Sequence, residues 1–256
     1  MRRSRPWLGL GFILVCLLTW QILVAKQLLD ARTVPSPWTV IGVFSDQRQV
    51  AELGQHVLAS LERLALGYGL AALLAIPLGI LIGQYQWFFR ILQPGLEMLR
   101  SIPAVVLIPP AMLFLGMGTP MKVAVIAYGS FFPIIINTIY GVKNVESKFV
   151  LTARTFGYSR RDIFCYVLLP STLPWIFSGL RIALSLGLVV TVAAEMVGTI
   201  DGLGYFILYG LRTFKVTQVY AGIVMLGFLG WSLNKLFLFA QRRLIPWHSD
   251  FRKEGQ

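Results

Sequence analysis

The chain has 256 residues, of which 56% are hydrophobic and only 13% charged, about half the charged share of a soluble globular domain. A mean hydropathy of +0.71 places it in the membrane class and excludes an ordinary soluble fold. Its formal net charge of +12 is spread between apolar runs, which argues against nucleic-acid binding and for a topology signal.

Charge-free runs mark the expected spans, since a bilayer core of roughly 30 Å needs about 20 helical residues. Residues 6–25 form the first such run. Arg2, Arg3 and Arg5 precede it as in a signal peptide, but Trp20, Gln21, Ile22 and Leu23 stand where small residues would mark cleavage. A retained helix over about 7–25 is therefore expected. Residues 26–57 make an outer segment whose mixed polar and apolar stretch, 46–56, is expected to lie flat on the membrane surface. Charge-free runs at 64–89, 101–121 and 123–142 place the next three spans at about 64–86, 102–118 and 123–141. Gly79 and Gly83 form a Gly-x-x-x-Gly that permits close helix approach. Pro103, Pro109 and Pro110 predict a kinked third span, and Gly118-Thr119-Pro120 a tight outer turn. A long connection, about 143–170, leads to a fifth span at 174–198, which contains Arg181 and Glu195. The sixth, at 217–240, is interrupted by Lys235. The fold class expected is an all-α membrane protein with about six transmembrane helices in one domain, 1–256, with no internal repeat.

Lys and Arg set the orientation. With the N-terminus inside, 14 basic residues fall on the cytoplasmic side (Arg2, Arg3, Arg5, Arg90, Arg100, Lys143, Lys148, Arg154, Arg160, Arg161, Arg242, Arg243, Arg252 and Lys253). Six fall outside: Lys26, Arg32, Arg48, Lys122, Arg212 and Lys215. Both termini are expected in the cytoplasm.

Catalytic chemistry is missing from the sequence. Gly-x-x-x-x-Gly-Lys-Ser/Thr, Gly-x-Ser-x-Gly and His-Glu-x-x-His do not occur, so no catalytic, cofactor-binding or metal residues are assigned. Cys16 and Cys165 have neither CxxC nor CxxH spacing, and His56 and His248 fall on opposite sides of the membrane. The candidate pathway residues are Asn137, Arg181 and Glu195. Arg181 and Glu195 share a helix face but lie about 21 Å apart along it, too far to pair. Two readings of that face stand: Glu195 lines or gates a polar pathway, or it bonds a neighbouring helix near the outer end while Arg181 reaches the inner headgroups.

The most informative stretch is Leu151-Thr-Ala-Arg-Thr-Phe-Gly157-Tyr-Ser-Arg-Arg-Asp-Ile-Phe-Cys-Tyr-Val167-Leu-Leu169-Pro170. Residues 146–156 suit a short helix that Gly157 ends in a left-handed conformation. A second segment is expected from about Ser159 to Leu169, stopped by Pro170. Such a unit projects a small knob that a partner groove can receive. The stretch resembles the cytoplasmic loop of bacterial binding-protein-dependent ABC importer permeases, whose pattern is Glu-Ala-Ala, three residues, Gly, nine residues, Ile, one residue, Leu-Pro. Ala153, Gly157, Leu169 and Pro170 match in register and Val167 stands for Ile, while Leu151 and Thr152 replace Glu and the first Ala. Pro35-Ser-Pro37, Ser60-Leu-x-Arg63-x-x-x-Gly67, Leu99-Arg-x-Ile-Pro103, Phe132-Pro133-x-x-x-Asn137, Gly179-Leu-Arg181, Ala194-Glu195-Met196 and Gly202-Leu-Gly204 look like the nitrate/sulfonate/taurine branch.

That resemblance implies a type I ABC importer permease fold in the bacterial inner membrane, carrying a sulfonate, nitrate, taurine or similar small solute. It implies ATPase coupling through Leu151, Thr152, Ala153, Arg154, Phe156, Gly157, Tyr158, Leu169 and Pro170. The partners implied are cytoplasmic ATP-binding subunits, a second permease copy and an extracytoplasmic solute-binding protein, besides membrane lipid. No cofactor is implied in this chain, ATP being bound by the partner. A secondary carrier, a polytopic enzyme or an anchoring protein would lack the ATPase partner.

Overall fold

The computed structural model describes residues 6–30 and 32–247, with the backbone alone for 6–10. Arg2, Arg3, Arg5, His248, Arg252 and Lys253, used above for topology and metal binding, lie outside the described residues. Every regular element described is helical. The described residues divide into two compact units, one within 1–59 and 200–228 and the other within 60–199 and 229–247.

The first unit holds α1 (Pro6–Ala25), α2 (Pro37–Val43), the first part of α3 (Gln47–Gln84), and, from later in the chain, α10 (Leu203–Arg212) and the start of α11 (Val216–Leu244). Helix α2 starts where it does because Ser36 Oγ accepts the Thr39 N–H and Pro37 takes the first-turn position that needs no donor. Val40 and Val43 pack with Ala221, closed over by Trp20, Phe44 and Tyr220. Asp46 opens α3 by accepting from the Arg48 N–H and the Gln49 side chain. The Gln49 bond, with the Arg48 N–H behind it, holds the Asp46 carboxyl below its ordinary range. Residues 46–56 are not a separate surface segment, for α3 runs unbroken over 38 residues, roughly 57 Å. It therefore outreaches the apolar run 64–86 and carries 47–63 beyond it.

The second unit contains the rest of α3, α4 (Gln86–Arg100), a 3-10 turn (Ala104–Leu107), α5 (Ile108–Leu115), α6 (Thr119–Lys143), α7 (Ser147–Thr155) and the continuous helical stretch Arg160–Glu195. That stretch comprises α8 (Arg160–Asp162), a π segment (Ile163–Leu168) and α9 (Leu169–Glu195). Helices α6 and α9 form its principal pair. One core gathers Leu64, Ile108, Met121, Val125, Ile126, Val190 and Ala194, and a second gathers Ala71, Ala75, Ile82, Ile134, Ile135, Ile139 and Ala183. Gly79 and Gly83 bring α3 onto α6, because a Cβ on either would stand 2.7 Å from Thr138 or Val142.

Among the described residues four helices are long and apolar enough to cross a membrane, or five if one bent pair is counted as a span. Within the expected third span, 102–118, the chain passes from the 3-10 turn directly into α5. The span's 12 helical residues, Ala104–Leu115, reach roughly 18 Å, and the chain turns by 81° between them and α4. The bend falls at Ser101-Ile102-Pro103. Pro109 and Pro110 instead lie in the first turn of α5, where a missing N–H is harmless. Lys122, counted above on the outer side, is buried near the start of α6 at 3% exposure.

Candidate functional site

Two features of the second unit bear on function: the 143–170 connection and a cavity beside α6 and α9. In the connection, α7 ends by a Schellman motif. Gly157 sits at φ +79°, the Tyr158 N–H reaches the Ala153 carbonyl at 3.1 Å and the Gly157 N–H reaches that of Arg154 at 3.0 Å. Two residues later Ser159 and Asp162 form a capping box that starts the next helix. The joint between the helices is thus held from both sides by satisfied backbone groups.

Ala153 and Ile163 are buried where α7 packs on the π segment. Leu151, Phe156 and Tyr158 face outward at 60%, 77% and 50% exposure, while Thr152 and Arg154 are also exposed. Leu169 and Pro170 are half-buried. Pro170 does not end the second helix. It follows the wider π turn Ile163–Leu168 and lies in the first turn of α9, so its missing N–H leaves the helix continuous. The knob is consequently the projecting end of the 36-residue helical stretch Arg160–Glu195, folded back through α7.

The cavity has a volume of about 430 Å³ and is mostly apolar. Arg100 is the one charged residue among those lining it, with Tyr128 and Asn137 as the polar ones. The Tyr128 hydroxyl donates to the Leu99 carbonyl, and Asn137 Nδ2 donates to the Pro133 carbonyl at 2.8 Å. Pro133, inside α6, has no N–H to donate to the carbonyl four residues before it, that of Gly129, and both residues line the cavity.

The three pathway candidates are not gathered in this cavity. Asn137 lines it; Arg181 and Glu195 do not. Arg181 is exposed, its Nε donating to Asn234 Oδ1 at 3.2 Å. Glu195, 1% exposed, accepts from Arg63 Nη1 at 2.9 Å and from Ser60 Oγ at 2.8 Å. Sequence reasoning missed Ser60 and Arg63 as its partners and did not place Arg100 at a cavity. A usable signal existed: Ser60 and Arg63 are three apart, on one face of α3, and an acid buried in an apolar helix requires a cation.

Residues 75–249 match the family described as "binding-protein-dependent transport system inner membrane component". The chain is 35% identical over 255 residues to the nitrate import permease protein NrtB of Leptolyngbya laminosa, covering 96% of this chain and 89% of the relative. It is 32% identical over 252 residues to the taurine transport system permease protein TauC of Escherichia coli K12, covering 95% and 90%. Its fold is that of a chain in inward-facing structures of the MetNI methionine ABC transporter, with a TM-score of 0.66 at 20% identity, covering 78% of this chain and 98% of that one. This chain therefore belongs to the family of inner-membrane components of binding-protein-dependent transport systems, the permease subunits of ABC importers.

Proposed function

We propose that this permease carries a small oxyanion, such as nitrate, taurine or another sulfonate, inward through a pathway whose movement is imposed at the 143–170 connection. Two copies of the chain pair, cytoplasmic ATP-binding subunits receive the knob, and an extracytoplasmic binding protein delivers the solute. Both termini lie in the cytoplasm, and the one domain needs no cofactor of its own, ATP being held by the partner.

The observation that carries the reading is the α7–Gly157–Ser159–α8 unit. Its joint is capped on both sides, its tip exposes Phe156 and Tyr158, and its second arm is continuous with α9. A force on the tip thus reaches the helix that flanks the cavity without crossing a flexible loop. Leu151, Thr152 and Arg154 make the exposed contact set, Ala153 keeps α7 close to the π segment, and Leu169 with Pro170 passes the movement into the span. ATP binding biases two pathway states only as far as the partner's affinity for the knob differs between them. The relatives named for nitrate and taurine support the solute class, as does the cavity's single cationic lining residue, Arg100. Asn137 is the pathway residue best supported, because it lines that cavity. Arg181 and Glu195 lie outside that lining, bonded to Asn234 and Arg63, and remain pathway candidates on sequence grounds alone.

The test is uptake of labelled nitrate and taurine by vesicles holding the permease, its ATPase subunits and its binding protein. ATP-dependent uptake of at least one of them is expected. Equal uptake with the ATPase subunits left out would replace this reading with a secondary carrier.

A further inference from the structure

A second concavity, of about 770 Å³, lies under the knob and differs in character from the cavity beside α6 and α9. Lys143, Arg154 and Arg160 line it, and neither Asp nor Glu is among its lining residues. All three cations are exposed. Among the described residues, Arg154 and Arg160 have no ion-pair partner, and Lys143 has only the face of Phe89, 3.1 Å from its Nζ. Arg154 belongs to the last turn of α7 and Arg160 to the first turn of α8. The two caps therefore hold both guanidinium-bearing residues at the joint. Val150, Leu151 and Phe164 supply an apolar wall.

The other rim of the groove is the junction of α3 and α4, Gln84, Tyr85 and Gln86. Exposed aromatic side chains gather there. Trp87 stands edge-on to Phe88 at 5.0 Å and Tyr85 edge-on to Phe88 at 6.2 Å, with Tyr85 54% and Trp87 67% exposed. Amphipathic aromatic rings at the end of an apolar helix mark the headgroup level of a bilayer. A groove at that level with three cations, no acid and an apolar wall has the chemistry of an anionic lipid site. The phosphate meets Lys143 and Arg160, the first acyl carbons lie along Val150 and Phe164, and Arg154 stays with the ATPase contact set.

We propose that this groove binds the phosphate headgroup of an anionic lipid of the inner leaflet and so ties the base of the knob to the membrane. The outward face, Phe156 and Tyr158, is left for the ATP-binding subunit.

The test is lipid retention by the purified permease complex, read by native mass spectrometry after exchange into detergent with equal phosphatidylglycerol and phosphatidylcholine. The wild-type complex is expected to retain phosphatidylglycerol preferentially. Lys143→Gln with Arg160→Gln is expected to lower that retention about tenfold to thirtyfold. Arg161→Gln with Arg243→Gln removes the same charge from residues that do not line the groove, and is expected to change retention less than about twofold. Thermal melting of both variants verifies their folding. Equal loss in both pairs would reduce the effect to general surface charge and overturn the site. Equal retention of the two lipids by the wild type, or displacement of phosphatidylglycerol by millimolar inorganic phosphate, would overturn the lipid assignment.

Discussion

Arg63 on α3 donates to Glu195 at the end of α9 across 2.9 Å, with side chains 6% and 0% exposed, although 132 residues separate them in the chain. Ser60, one turn earlier on α3, donates to the other carboxylate oxygen. Breaking a buried pair leaves an uncompensated charge, whereas replacing both partners by apolar groups is often close to neutral. Arg63→Leu or Glu195→Leu alone is expected to destabilise the permease by about 3–5 kcal/mol. The double substitution is expected to recover most of the loss. A double-mutant cycle on thermal or denaturant unfolding in detergent measures the coupling, and additive losses would contradict it.

Glycines of α3 separate packing from propensity. A Cβ at Gly83 would lie 2.7 Å from Val142 Cβ on α6, while one at Gly54 would meet nothing within 4 Å. Gly83→Ala is expected to cost about 1–3 kcal/mol by forcing α3 off α6. Gly54→Ala, in the same helix, is expected to gain about 0.5–1 kcal/mol by restricting the unfolded chain. The opposite signs are read from unfolding midpoints under identical conditions.

These contrasts show what local pattern carries and what it does not. Gly157 was readable as a left-handed stop because a helix needs a residue without Cβ penalty at that position. The Gly79/Gly83 seam was readable as a spacing, though its partners Thr138 and Val142 were not. Pro170 misled: the rule that proline ends a helix holds for an unaltered α ladder, and the π turn before it removes the conflict. Where the chain turns ahead of the third span was not legible, since hydropathy counts residues but not their direction, and an 81° turn at Ser101-Ile102-Pro103 leaves the composition unchanged. The burial of Lys122 near the start of α6 was not legible either, because a count of charges by side says nothing of what packs around each. For the Arg63–Glu195 pair the sequence signals that a buried acid needs a cation, while which cation meets it depends on tertiary packing between distant segments.

Gly157 provides the sharpest test of the knob. No side chain would crowd a Cβ there, yet its φ of +79° is strained for any L residue and most for a β-branched one. Gly157→Val is expected to cost about 1–2 kcal/mol locally and to leave membrane insertion intact. Nitrate or taurine uptake per ATP hydrolysed should fall severalfold. Gly157→Asn, which tolerates the left-handed region better, should lie between the wild type and Val. A ratio of uptake to hydrolysis unchanged in Gly157→Val would remove the knob from the coupling route.

His56 makes the first unit sensitive to acid. It lies on α3 ahead of the apolar run 64–86, and its Nδ1 accepts the Gly202 N–H at 3.1 Å. Its ring rests beside Tyr205 and Phe206 at 5.9 and 5.3 Å. An accepting Nδ1 carries no proton, so the imidazolium cannot keep that bond. Partial burial favours the neutral ring as well and outweighs the opposing carboxylates of Glu52 and Asp201, which holds His56 below its ordinary value. The unfolded chain then binds the proton more readily than the folded one. The contribution is complete above the unfolded value of about 6.5 and declines as the pH falls through and below it. The protection of the Gly202 amide, its exchange rate taken relative to the intrinsic rate at the same pH, should therefore fall between about pH 7 and pH 5 in the wild type. His56→Gln, whose side-chain carbonyl accepts at any pH in that range, should flatten the profile, and an equally steep profile in that variant would assign the acid sensitivity to another group.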